Sequence, residues 1–390
     1  MTSEGIGPIC GAAAVATLVR VSTDTVDIDS VRSGTGGGAG DRSRSGRLRS
    51  VAPGLALTAA VAAAATVAGS AVPAFGAPLF AIVMGAVVAV ARPLPPAFSP
   101  GLAFGSKPVL QASVVILGSG LSIAEVLRVG VGSLPVLIGT LAAALLLARP
   151  VGRALGLHRD VTTLIGVGTA ICGASAIAAT NSVIDAEETD VTYAVTTIFL
   201  FNVVALLSYP ALGHALGMSQ HAFGLWAGTA VNDLSSVVAA ATVYGHAATT
   251  RAVVVKLTRT LAIVPISVGL AAVRARRPAG PGREPTGAQT PVAHTSMVTV
   301  VRRAVPRFLL GFIALAAVNS AGLIPGSWHA GLSEVSTWLI TAALAAIGLS
   351  TRPAAMRRAG WRPLLLGAVL WAAVGVSSLL LQGATGLMGL

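Results

Sequence analysis

Residues Gln220 to Thr260 read QHAFGLWAGTAVNDLSSVVAAATVYGHAATTRAVVVKLTRT, two apolar runs that carry charge where a membrane helix ordinarily carries none. Asp233 falls near the middle of the first run, and Lys256 and Arg259 fall within the second. A charge at the centre of a bilayer helix costs roughly 2.5–3.5 kcal/mol on insertion scales, so such residues pair, face water or serve function. The stretch predicts a polytopic membrane protein with an ionisable site inside it.

Composition points the same way. The chain is 54% hydrophobic and only 10% charged, with a mean hydropathy of +0.82. Working outward from the opening stretch, eleven apolar runs approach the roughly 20 residues that cross a bilayer. They lie near 53–72, 75–91, 108–127, 131–148, 161–181, 191–213, 222–244, 250–273, 304–323, 335–351 and 363–381. The net charge of +12 does not read as a nucleic-acid surface, because the arginines cluster at the ends of apolar runs. Placing the N-terminus in the cytoplasm puts Arg44, Arg92, Arg149, Arg159, Arg274, Arg302 and Arg357 inside. The outside then keeps little beyond Arg128 and Arg251, plus an acidic loop of Asp185, Glu187, Glu188 and Asp190. A multi-pass cell-membrane protein, N-in and C-out, is expected.

The expected fold is all-α, with about 11 transmembrane helices. Residues 1–50, rich in Gly, Ser and Arg, read as a disordered cytoplasmic tail. Residues 51–273 form a block of about eight helices, 274–303 a Pro/Gly/Arg-rich cytoplasmic linker, and 304–390 a block of about three. Gly120-Leu121-Ser122, Gly132, Pro135 and Gly139 recur 228 positions on as Gly348-Leu349-Ser350, Gly360, Pro363 and Gly367. That shift maps the third span on the tenth and the fourth on the eleventh, an odd offset. Inverted structural repeats with interrupted helices are the mark of secondary transporters.

Two segments hold the chemistry. GVGTAICGASAIAATNS, residues 166–182, is a poor continuous helix and a good broken one. A broken helix offers amide donors to an anion, whereas the same small residues also suit close helix packing. A fainter copy follows, Gly168-Thr169-Ala170 against Gly228-Thr229-Ala230, with Asn232, Asp233, Ser235 and Ser236 behind it. Asp233 reads as a proton or cation site, or as a neutraliser of Lys256. Lys256 and Arg259 share one helix face, as anion contacts or as side chains snorkelling to the outer surface. Glu125 ends the third span as a weaker candidate, and His214, His221 and His246 read as interfacial. Cys10 and Cys172 define neither a disulfide framework nor a zinc site, so no metal, cofactor or catalytic residue is expected.

The stretches GTAICGASAIAATNSVIDAEETDVTYAVTTIFLFNVVALLSYPALG, LGMSQHAFGLWAGTAVNDLSSVVAAATVYG, AVVVKLTRTLAIVPI and GLSTRPAAMRRAGWRPLLLG together resemble the bacterial sulfate exporter family. The resemblance runs over roughly residues 53–385. It implies an architecture like the cation:proton antiporter and bile-acid symporter group. It also points to Gly168, Thr169, Cys172, Gly173, Ser175, Asp233, Lys256 and Arg259 as site residues. Asn232 stands where a histidine is more usual, and Leu234 replaces a small polar residue.

The expected function is secondary active transport of a small anion, sulfate or a sulfonate, exported with protons or sodium. Substrate contacts are assigned to Lys256, Arg259, Gly168, Thr169, Cys172, Gly173, Ser175, Asn232 and Ser235, and the coupling ion to Asp233. A sodium/proton antiporter is the alternative, though two bases beside one acid favour an anion. An intramembrane hydrolase built on Ser175 is the more distant one. No Walker motif appears, so the protein is not expected to be an enzyme or an ATP-driven pump. Its expected partners are a small anion and the lipid bilayer, with a homodimer left open and no nucleic acid.

Overall fold

The structure, a computed structural model, describes residues 44–71, 76–92, 94–275, 306–350 and 360–387. The expected tail up to residue 43 and most of the 274–303 linker lie outside the described residues. Among the described residues every regular element is helical. Helix α1 (Arg44–Ala71) already begins inside the expected tail. It is followed by α2 (Gly76–Ala91), α3 (Pro96–Gly120) and α4 (Ile123–Ala154). Next come α5 (Arg159–Ala170), α6 (Ala174–Ile184), α7 (Glu188–Ala215), α8 (Gln220–Ala230) and α9 (Leu234–Tyr244). The chain continues with α10 (His246–Thr260), α11 (Ile263–Ala275), α12 (Arg307–Ser320), α13 (Gly326–Leu349) and α14 (Trp361–Ala384).

Apolar helix occupies each of the eleven expected stretches, but not as eleven continuous spans. Among the described residues seven helices are long and apolar enough to cross a membrane: Ser50–Ala71, α3, α4, α7, His246–Leu270, α13 and α14. Helices α2 and α12 are shorter apolar helices, and so are α6 and α9.

Packing divides the chain into two compact units that do not follow the sequence blocks. One contains the described residues up to Arg128 and from Arg307 to Pro353; the other runs from Val129 to Pro306 and from Ala354 onward. In the first unit, helices approach through glycine. A Cβ on Gly85 of α2 would meet the Ala345 carbonyl of α13 at 2.6 Å, and Gly348 abuts the Ile82 carbonyl in return. With lipid as solvent there is little hydrophobic drive between helices, and close backbone contact through small residues replaces it. The first expected repeat element, Gly120-Leu121-Ser122, ends α3 here. Glu125 sits in the exposed first turn of α4, its amide donating to Ser122 Oγ at 3.1 Å.

The second unit decides the architecture. Two of the expected spans, 161–181 and 222–244, fold back on themselves as helical hairpins. Helix α5 has 12 residues and α6 has 11, so a straight path would carry the chain about 35 Å away. Instead His158, just before α5, lies 3.3 Å from Asp190 at the start of α7. Gly168 of α5 also faces Ile177 of α6 across the pair, at 3.0 Å from a built Cβ. The second pair behaves alike: Ala247 N donates to Gln220 Oε1 at 3.0 Å, and Tyr244 Oη donates to the Met218 carbonyl at 2.5 Å. Phe223 of α8 stacks on Tyr244 of α9 with ring centroids 3.8 Å apart. Hydropathy cannot see such a turn, because two apolar arms joined by a polar break have the length and composition of one span.

The hairpins enter from opposite ends of α7. The first has its base at the start of that helix, the second at its end, where His214 stacks on Tyr244. The acidic loop Asp185–Asp190 therefore shares a face with Arg159, correcting its expected place on the other side. In a cysteine-free background, a cysteine replacing Glu187 should be labelled from the same side of the membrane as one replacing Arg153. Labelling from opposite sides would restore a crossing helix.

Candidate functional site at the hairpin tips

Each hairpin turns through three residues, Ile171-Cys172-Gly173 in the first and Val231-Asn232-Asp233 in the second. Gly173 has φ +71°, a conformation glycine enters without steric cost and other residues avoid. A Cβ on it would stand 3.3 Å from Ile198 of α7 and 3.5 Å from the Cβ of Asp233. The Asn232 amide donates to Asn202 Oδ1, also on α7, at 3.1 Å. Ile198 and Asn202 flank the midpoint of the 28-residue α7, so the tips meet about halfway along it.

Two helices end at this meeting point and two begin. An α-helix leaves its last carbonyls unbonded and carries roughly half a negative charge there, with half a positive charge at its start. The buried cations answer the carbonyl ends. Lys256 Nζ donates to the Val231 carbonyl at 2.7 Å and to the Ile171 carbonyl at 3.1 Å, so one ammonium joins both tips. Arg259 Nε donates to the Ala170 carbonyl at 2.5 Å, and Nη2 to the Thr169 carbonyl at 3.1 Å. Lys256 is 0% and Arg259 1% exposed, which rules out snorkelling. Both sit on α10, whose neighbour α8 packs against it through Gly224 and Gly228; a Cβ on Gly228 would stand 2.9 Å from the Ala252 carbonyl.

Asp233 forms no direct ion pair with Lys256. It is the N-cap of α9: its Oδ2 accepts from the amides of Ser235 at 3.1 Å and Ser236 at 3.2 Å, and from Ser235 Oγ. The ion pairs within 4 Å among the described residues are those of His158 with Asp160 and Asp190. Helix α6 begins at Gly173 with no side-chain cap, and its first residues Ala174 and Ser175 are exposed. The carbonyl ends are thus buried and capped by cations, while the amide end of α9 is capped by Asp233 and that of α6 is exposed.

Several polar atoms at the tips have no partner. They are Asn232 Nδ2 and Oδ1, Asp233 Oδ1, Thr169 Oγ1 and Arg259 Nη1, each buried. Buried polar groups are satisfied in nearly all proteins, so a concentration of unsatisfied ones marks a place built for something else. The predicted residues Gly168, Thr169, Cys172, Gly173, Ser175, Asn232, Asp233, Ser235, Lys256 and Arg259 all fall on the tips or on the cations that hold them. Lys256 and Arg259, however, direct hydrogen bonds to backbone carbonyls, and among the described residues Arg259 Nη1 has no partner.

Sequence reading missed the support around them. Asn202 holds the second tip, and Thr229 Oγ1 lies 2.7 Å from Ser378 Oγ, to which Gln382 Nε2 donates at 3.2 Å. These are single polar residues on long apolar helices, and only their burial among α7, α8 and α14 distinguishes them.

Cys172 is a free thiol, 9% exposed, at the first tip. In a Cys10→Ser background, a small water-soluble thiol reagent should modify it slowly, and an anion bound at the tips should slow it further. Complete inertness during turnover would assign the tip to packing alone.

A family model described as Conserved hypothetical protein 698 matches residues 53–367, a range that includes both hairpins and both cations. A UPF0324 membrane protein of Streptococcus pyogenes serotype M3 is 40% identical over 347 residues, 86% of this chain and 97% of the relative. Another from Streptococcus agalactiae serotype V is 39% identical over 342 residues, with the same coverage of each chain. A third, from Streptococcus pneumoniae serotype 4, is 40% identical over 323 residues, 81% of this chain and 91% of its own length. Matched over nearly the full length of these relatives, the chain belongs to the UPF0324 membrane protein family and is a multi-pass membrane protein.

Proposed function

We propose that the protein is a secondary active transporter of a small oxyanion, with sulfate or a sulfonate as the leading substrate class. The observation that carries this reading is the division of polarity at the tips. Buried Lys256 and Arg259 offset the carbonyl ends of α5 and α8, and the uncapped amide end of α6 is exposed. Two cations balance two carbonyl ends of roughly half a charge each and one carboxylate; the amide ends then leave about one positive charge. Such a site attracts an anion.

A sodium/proton antiporter fits less well. Asp233 already accepts three bonds through Oδ2 as a helix cap, and the other charges beside it are cationic. Hydrolysis by Ser175 is disfavoured too, since the histidine ring bonds among the described residues go to Asp190 and Asn319.

In this reading the described helices cross the membrane nine times, as α1, α2, α3, α4, α7, α10 with α11, α12, α13 and α14. The two hairpins reach its middle from opposite sides. Nine is odd, so the N-terminus stays cytoplasmic, the C-terminus outside, and the arginine-rich segments inside the cell. Gly168-Thr169-Ala170 and Gly228-Thr229-Ala230 each end the inbound arm of a hairpin, which makes the hairpin with its following helix an inverted repeat. Opposed hairpins at an inverted-repeat interface suit alternating access.

The test is flux of labelled sulfate into proteoliposomes, with and without a pH gradient. Accelerated uptake under one gradient polarity is expected. Dissipation of a sodium gradient with no oxyanion flux would favour the antiporter.

A further inference from the structure

Asn232 offers more than charge can explain. Its side chain is 1% exposed, and both its donor, Nδ2, and its acceptor, Oδ1, are without partners. Exchanging the amide's oxygen and nitrogen does not change this, because both positions are free. The neighbouring Asp233 adds a second free acceptor, Oδ1, while Arg259 Nη1 adds a free donor. The exposed start of α6 at Ala174 and Ser175 supplies the helix N-terminal end. Donors and acceptors are therefore both waiting at the tips.

Resting on the anion reading above, we infer that the ligand at the tips is a small, singly charged oxyanion that carries an O–H or N–H of its own. A fully deprotonated oxyanion such as sulfate only accepts. It would satisfy Asn232 Nδ2, Arg259 Nη1 and the helix amides, but bury Asn232 Oδ1 and Asp233 Oδ1 against its own lone pairs. A monoanion with one donor answers both sets, and its charge matches the roughly single positive charge left at the tips. Hydrogen-oxyanions and amino-substituted sulfonates belong to this class. Sites built to hydrogen-bond a substrate group reject analogues lacking it far more strongly than sites built on apolar contact.

Sulfamate and methanesulfonate separate the two ideas, having the same charge and nearly the same shape and differing in that only sulfamate has N–H donors. Titration of each, and of sulfate, into the purified full-length protein should show sulfamate binding at least about tenfold more tightly than methanesulfonate. Asn232→Leu should bring that ratio toward one, and its unfolding temperature shows whether the variant is folded. The comparison on the unmodified protein stands without any variant. Equal affinity for sulfamate and methanesulfonate would overturn the donor requirement and leave anion transport intact. Failure of all three to bind would overturn it together with the anion reading.

Discussion

Lys256→Gln should destabilise the protein more than any other single exchange at the tips. The ammonium is fully buried and holds one carbonyl from each hairpin, Ile171 and Val231. A glutamine is shorter and neutral. It can reach one carbonyl at best, so the other is left buried and unbonded at the negative end of a helix. Removing one partner of a buried charged contact costs about 3–5 kcal/mol. In a chain of 390 residues that corresponds to a fall of roughly 4–6 °C in unfolding temperature. Because Lys256 joins the tips, anion flux should vanish along with stability. Lys256→Arg keeps the charge and should recover part of the stability, with a planar fork replacing a compact ammonium. Thermal unfolding in detergent and flux in vesicles read the two effects separately. An unchanged unfolding temperature for Lys256→Gln would show that the hairpins are held by packing.

The same residue shows what a sequence can and cannot disclose. A lysine and an arginine three apart in an apolar run announce a buried site, and the broken segment around Gly173 announces a turn in the backbone. Both were legible because each violates the rules of a lipid-embedded helix. The path of the chain was not. An arm of 12 residues and one of 11 have the hydropathy of a single span, and the contacts of His158 with Asp190 and of Gly168 with Ile177 show that they return. That hidden turn also misplaced the acidic loop, since each presumed crossing reverses the side of whatever follows. The carbonyls that Lys256 and Arg259 hold were hidden for a related reason: sequence shows side-chain charge but not the orphan carbonyls at a helix break.

Asp233→Asn separates charge from structure at the second tip. Asn caps a helix about as well as Asp, so α9 should start where it does now and the unfolding temperature should change little. What changes is the electrostatic balance. With Asp233 ionised the tips carry roughly one net positive charge, and without it roughly two. A dianion gains most from the second. Sulfate should therefore bind at least about tenfold more tightly to the variant, since one elementary charge at a part-buried site contributes more than about 1 kcal/mol over several ångströms. A monoanion should gain less. If Asp233 is the coupling group, sulfate flux in the unmodified protein should depend on a pH gradient. Asn, which cannot take up a proton, should make the flux independent of a pH gradient while binding persists. Equal pH dependence in the two proteins would leave Asp233 as a helix cap and move the coupling group elsewhere. Loss of binding on neutralising a carboxylate would point instead to a cation at the tips.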